Sequence, residues 1–147
     1  MKFRRGFSLI EVLIAVFVVS LCAVVVAATM PTANRSRRKA DLTSKAVGLA
    51  QKQVEAIRGL GYANATASQL QSYGLIDSVS PVSTDTYSFT NSDSARLDNP
   101  SRVLPSGVGR VKIEQADIDL RRITVTVTWS DMGTTRSFTL GTLVANL

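Results

Sequence analysis

The chain has 147 residues, a length for one domain or for one domain with an appendage, and 45% of them are hydrophobic. Its formal net charge is +6, but Lys2, Arg4 and Arg5 supply three of those charges, so net charge alone makes no case for nucleic-acid binding. The absence of histidine and the presence of a single cysteine, Cys22, exclude an intrachain disulfide, a Cys/His zinc site and Ser–His or Cys–His catalytic pairs.

The apolar share is concentrated near the N-terminus. A basic stretch containing Lys2, Arg4 and Arg5 ends at Gly6, and residues 7–30 are then apolar apart from Ser8, Glu11, Ser20 and Thr29. Residues 12–34 hold no charge, and Pro31 closes the apolar run. As a helix, 24 residues would span about 36 Å, enough for a hydrocarbon core of about 30 Å. The many Val and Ile residues weaken helix propensity in water, but in lipid the backbone must satisfy its own hydrogen bonds, and one helix does so.

Three readings meet this segment. A cleaved secretory signal has a shorter apolar stretch, although Val26-Ala27-Ala28 would serve as a poor cleavage site. A plain signal anchor explains everything except Gly6, placed between the charges and the apolar run, and Glu11, placed inside that run. A carboxylate within a membrane segment costs a few kcal/mol and marks a functional position by default. The plainer account of Glu11 is that it lies close enough to the helix end to reach the interface.

The third reading rests on a resemblance. Lys2-Phe3-Arg4-Arg5-Gly6 followed by Phe7-Ser8-Leu9-Ile10-Glu11-Val12-Leu13-Ile14-Ala15 resembles the leader and N-terminal helix of type IV prepilins and type II secretion pseudopilins. The resemblance implies that a prepilin peptidase cuts between Gly6 and Phe7 on the cytoplasmic side and that Phe7 is N-methylated. It also implies that Glu11 is the assembly glutamate, pairing with the α-amino group of Phe7 on a neighbouring subunit. Such pairing would offset the desolvation of a buried carboxylate and fix axial register. The implied partners are prepilin peptidase, other pilins or pseudopilins, an inner-membrane assembly platform and membrane lipid. The implied location is the bacterial inner membrane, with the C-terminal domain outside the cytoplasm, and then the filament.

Charge counting does not settle the direction of insertion, because Arg35, Arg37, Arg38 and Lys39 follow the span and oppose the three leader cations. Processing at Gly6 requires a cytoplasmic N-terminus, and that orientation is adopted. The 35–39 cluster itself reads either as a contact for anionic headgroups or as a solvated helical turn. No aromatic residue is interleaved with it, so no nucleic-acid partner is expected.

Residues 40–60 carry Leu42, Ala46, Leu49, Ala50, Val54, Ile57 and Leu60 at the 3-4 spacing of one buried helix face, with Gly59 and Gly61 as stops. Residues 77–102 have loop chemistry, with a short strand expected at 86–90. Asp93, Asp98, Asp117 and Asp119 match no dedicated calcium loop and read as solvated carboxylates, so neither metal nor cofactor is expected. A strand is expected around 108–113. The alternation of Ile123, Val125, Val127 and Trp129 with threonines predicts a half-buried strand, and residues 130–133 a turn. A last strand follows at 135–144, with Phe138, Leu140 and Thr142 on one face.

These elements predict an α+β chain in which a long N-terminal transmembrane and amphipathic helix packs on a small antiparallel sheet. The expected parts are a leader at 1–6, a transmembrane assembly helix at 7–34, an amphipathic continuation at 35–61 and a globular head at 62–147. The arrangement resembles the pilin architecture, and residues 53–58 and 123–129 are similar to PilV-type minor pilins and minor pseudopilins. Major pilins often close a C-terminal loop with a disulfide, which Cys22 cannot do here. The expected function is therefore a structural, minor subunit of a type IV pilus or pseudopilus. The alternative is a tip module that binds a surface, DNA or a secreted substrate. No nucleophile and base form a coherent set, so no enzyme is expected.

Overall fold

The computed structural model describes residues 8–92 and 98–146. They fall into two compact units, Met1–Lys39 and Ala40–Leu147, and helix α1 (Leu9–Asn64) contributes to both. Within the first unit every residue from Leu9 onward is helical, and every described residue is exposed. Pro31 does end the apolar run, but it lies inside the helix. Its ring removes one N–H from the hydrogen-bond ladder, and the flanking bonds carry the helix past it.

The second unit is built around one core. Leu42, Ala46, Leu49, Ala50, Gln53, Val54 and Ile57 form the buried stripe of α1, with a spacing of three and four residues. Leu60 sits at its margin, half-buried. The expected stop is partly realised: Gly61 adopts φ 76° and ψ 174°, outside helical geometry, and the chain resumes a turn as far as Asn64. Two short helices went unanticipated, α2 (Ala67–Ser72) and α3 (Pro100–Val103). The first buries Leu70, and the second starts on Pro100, whose missing N–H is no loss at a helix start.

Four strands make an antiparallel sheet in the order β1-β2-β3-β4, namely Thr86–Ser88, Val108–Asp117, Leu120–Asp131 and Thr134–Ala145. The alternation read in β3 is the one observed. Ile123, Val125 and Val127 are fully buried, Trp129 nearly so, and the intervening threonines are only partly covered. Burial of each such side chain stabilises the fold by about 1.5–3 kcal/mol, so this strand and the α1 stripe dominate the core. Arg136, Phe138, Leu140, Thr142 and Val144 share the inner face of β4.

Both long strands exceed their expected bounds. Ser130 and Asp131 belong to β3, and Asp131 pairs with Thr134 across a two-residue turn. In that turn Met132 (φ 50°) and Gly133 (φ 81°) take the left-handed geometry that matches strand twist. At the other edge β1 ends at Ser88, two residues short of the expected bound, although the Phe89 N–H still donates to the Gly109 carbonyl at 3.0 Å and the Phe89 ring is buried against Gly109. A Cβ on Gly109 would stand 2.6 Å from that ring.

Candidate functional site

The candidate site is the exposed apolar stretch of α1 and the one acid it carries. Glu11 lies in the first turn, where its backbone N–H donates to the Ser8 carbonyl at 2.9 Å. Free N–H groups and the helix dipole favour an anionic side chain at that end. The Glu11 carboxylate makes no hydrogen bond or ion pair among the described residues.

Two further polar side chains, both inside the helix, are satisfied by it. Ser20 Oγ donates to the Val16 carbonyl at 2.8 Å, and Thr29 Oγ1 to the Val26 carbonyl at 3.0 Å. Both are thereby compatible with lipid, where an unpaired donor is costly. Large apolar side chains from Leu9 to Met30 are half or more exposed, including Phe17 at 67% and Val19 at 68%. With about 1.5 kcal/mol or more at stake for each, the unmet burial is on the order of 20 kcal/mol or more. That exceeds the few kcal/mol that one carboxylate near a helix end costs in a membrane, so the segment favours lipid or other helices over water.

Gly6 and Phe7, the expected cleavage and methylation positions, lie outside the described residues, as does Asp93. Of the remaining acids considered for calcium, Asp98 accepts from Lys52 Nζ at 2.9 Å. Asp117 Oδ1 accepts from the Ile118 N–H and Asp119 Oδ1 from Asn146 Nδ2. No cluster of three metal-ligating side chains occurs among the described residues.

Several polar residues with structural duties were not singled out by sequence. Gln53 is buried, and its Nε2 donates to the Leu75 carbonyl at 2.7 Å. The helical spacing from Ala46, Leu49 and Ala50 pointed to it. Arg121 donates to the Tyr62 and Ala65 carbonyls at 2.8 and 2.9 Å, and its guanidinium stacks 4.4 Å from the Tyr62 ring centre. The inward alternation of Ile123 and Val125, extended back one step, reaches it. Asp77 accepts from Ser88 Oγ and from the Thr90 and Asn91 N–H groups, which fixes the chain as it leaves β1. A lone Asp in a Ser-rich loop gave no such signal.

An apolar N-terminal helix, continued by an amphipathic stretch that covers a four-stranded antiparallel sheet, is an α+β, pilin-like arrangement. Residues 1–27 match the family model described as the prokaryotic N-terminal methylation motif, which is characteristic of type IV prepilin-like proteins processed by prepilin peptidase. Comparisons with curated proteins and with solved structures gave no match.

Proposed function

We propose that the chain is a structural, minor subunit of a type IV pilus or pseudopilus. In this reading prepilin peptidase cuts between Gly6 and Phe7 and methylates Phe7. The subunit then waits in the inner membrane with its C-terminal domain outside the cytoplasm, and joins other pilins or pseudopilins at an assembly platform. The observation that carries the reading is Glu11 in the first turn of an exposed apolar helix, inside the matched motif.

The mechanism follows from those residues. Helices gathered in a filament core replace lipid with one another's apolar faces, so extraction from the bilayer costs little net apolar exposure. Removal of the leader creates a cationic α-amino group on Phe7, and the Glu11 carboxylate of a neighbour neutralises it. Two opposite charges buried together are tolerated where either alone is not. The pairing therefore selects one axial offset between subunits. The minor role draws support from Cys22, the single cysteine, which leaves the head without a disulfide.

Glu11→Gln tests this directly. The variant should insert in the membrane and lose its leader, yet its incorporation into sheared filaments should fall about 100-fold, the equivalent of about 3 kcal/mol for an uncompensated buried charge. Incorporation at the wild-type level would overturn the assembly role of Glu11. Failure of the leader to be removed on co-expression with prepilin peptidase would overturn the processing step.

A further inference from the structure

The net charge of the chain is distributed unevenly. Residues 40–147 hold ten Lys and Arg against ten Asp and Glu, so that unit carries no net charge. Outside the leader, the whole positive excess belongs to Arg35, Arg37, Arg38 and Lys39, all exposed on α1 in the first unit. Arg35, Arg37 and Arg38 form no ion pair among the described residues.

Two features of their placement identify what they meet. The first is depth. Glu11 and Arg35 are 24 residues apart on one helix, or about 36 Å at 1.5 Å per residue, slightly more than a hydrocarbon core of about 30 Å. When one end of this span lies at one edge of the hydrocarbon, the other lies among the headgroups of the opposite leaflet. The second feature is azimuth. At about 100° per residue, Lys39 lies about 40° from Arg35 in one sense, Arg38 about 60° in the other, and Arg37 on the far side. Three cations share one face and Arg37 takes the face opposite, all within about 6 Å along the axis. A docked protein touches one side of a helix, whereas headgroups surround it.

We propose that Arg35, Arg37 and Arg38, with Lys39, form a collar that binds the anionic phospholipid headgroups of the leaflet opposite Glu11. Guanidinium groups fork onto phosphate oxygens, and a lipid of net negative charge attracts them beyond what a zwitterionic one can. The collar fixes the depth of the helix and so holds Glu11 at the opposite edge of the hydrocarbon. This proposal rests on the membrane-span reading above.

The test uses the full chain reconstituted in vesicles containing spin-labelled phosphatidylglycerol or phosphatidylcholine, with the lipid immobilised on the protein read by electron spin resonance. At low salt the wild-type chain should prefer phosphatidylglycerol by roughly threefold or more, and the preference should shrink as salt screens the charges. The triple variant R35Q/R37Q/R38Q should lose at least half of that preference. The variant K2Q/R4Q/R5Q, which removes the leader cations instead, should retain the collar's share. A triple collar variant that stays inserted and keeps the full wild-type preference would overturn this proposal alone. A wild-type chain stripped from vesicles by alkaline carbonate would overturn the membrane-span reading and the collar with it.

Discussion

Two isoleucines on the same helix offer a direct test of the division between core and exposed span. Ile57 has none of its surface exposed, while Ile14 has 59% exposed. Ile57→Ala removes buried carbons from the interface between the α1 stripe and the sheet, at a cost of about 2–5 kcal/mol. A folded unit of this size holds about 5–15 kcal/mol in all, so the loss is a large fraction of its stability. With a conversion of about 4 °C per kcal/mol, the midpoint should fall by about 8–20 °C. Ile14→Ala opens no cavity, because its surroundings are fluid chains before and after, and it should shift the midpoint by about 2 °C or less. Trp129 is the only tryptophan and is 3% exposed, so its fluorescence reports the melting of the head alone. The measurement is thermal unfolding of the full chain in detergent micelles. Equal shifts for the two variants would refute the assignment of residues 42–57 as the face that covers the sheet.

Two further outcomes follow from the head. Gly109→Ala places a methyl group 2.6 Å from buried Phe89 ring atoms, and the same melting experiment should show a loss of about 1–3 kcal/mol from overpacking; an unchanged midpoint would show that the ring yields freely. On the outer face of the sheet, Lys112 Nζ stands 2.6 Å from Glu114 Oε1, and this hydrogen bond is the main cause that holds the Glu114 carboxyl below its ordinary value. A depressed carboxylate contributes stability that is present above its unfolded pKa and is lost as pH falls through its folded value. The effect therefore lies on the acid side of the ordinary carboxylate range. In an NMR titration Lys112→Ala should move the Glu114 midpoint upward, and no movement would assign the depression to Arg122 instead.

The elements set by period alone were readable before the structure was known. Ile123, Val125, Val127 and Trp129 alternate without a break, and a period of two admits only one buried face. Residues 42–57 keep a helical period for the same reason. What escaped the sequence was set by long-range partners. Gln53 reads as polar, yet its position on the stripe buries it, and the Leu75 carbonyl accounts for one of its amide hydrogens. Arg121 reads as one more surface cation, yet it donates to the Tyr62 and Ala65 carbonyls at the end of α1. Phe89 reads as one more strand residue, yet its ring is buried only because Gly109 leaves a hollow for it. Each of these depends on residues at least 20 positions away or nearly so, which no local window contains.

The N-terminal stretch follows a different logic, and that is why its meaning is more legible than its setting. Its stripe has no inward face: the large side chains from Leu9 to Met30 are exposed all round, so no packing among the described residues selects their partners. Selection must come from the few residues that break the apolar run. Ser20 and Thr29 are silenced by their own helix, which leaves Glu11 at one end and the 35–39 cations at the other. In the proposed reading, opposite charges at the two ends of one apolar span would give a depth and a register where hydrophobicity gives neither. A collar variant and a Glu11 variant should therefore fail differently, the first in lipid preference with filament incorporation kept, the second in incorporation with lipid preference kept. A single variant that abolished both would mean that the two ends are not independent, and that depth in the bilayer is itself a condition for assembly.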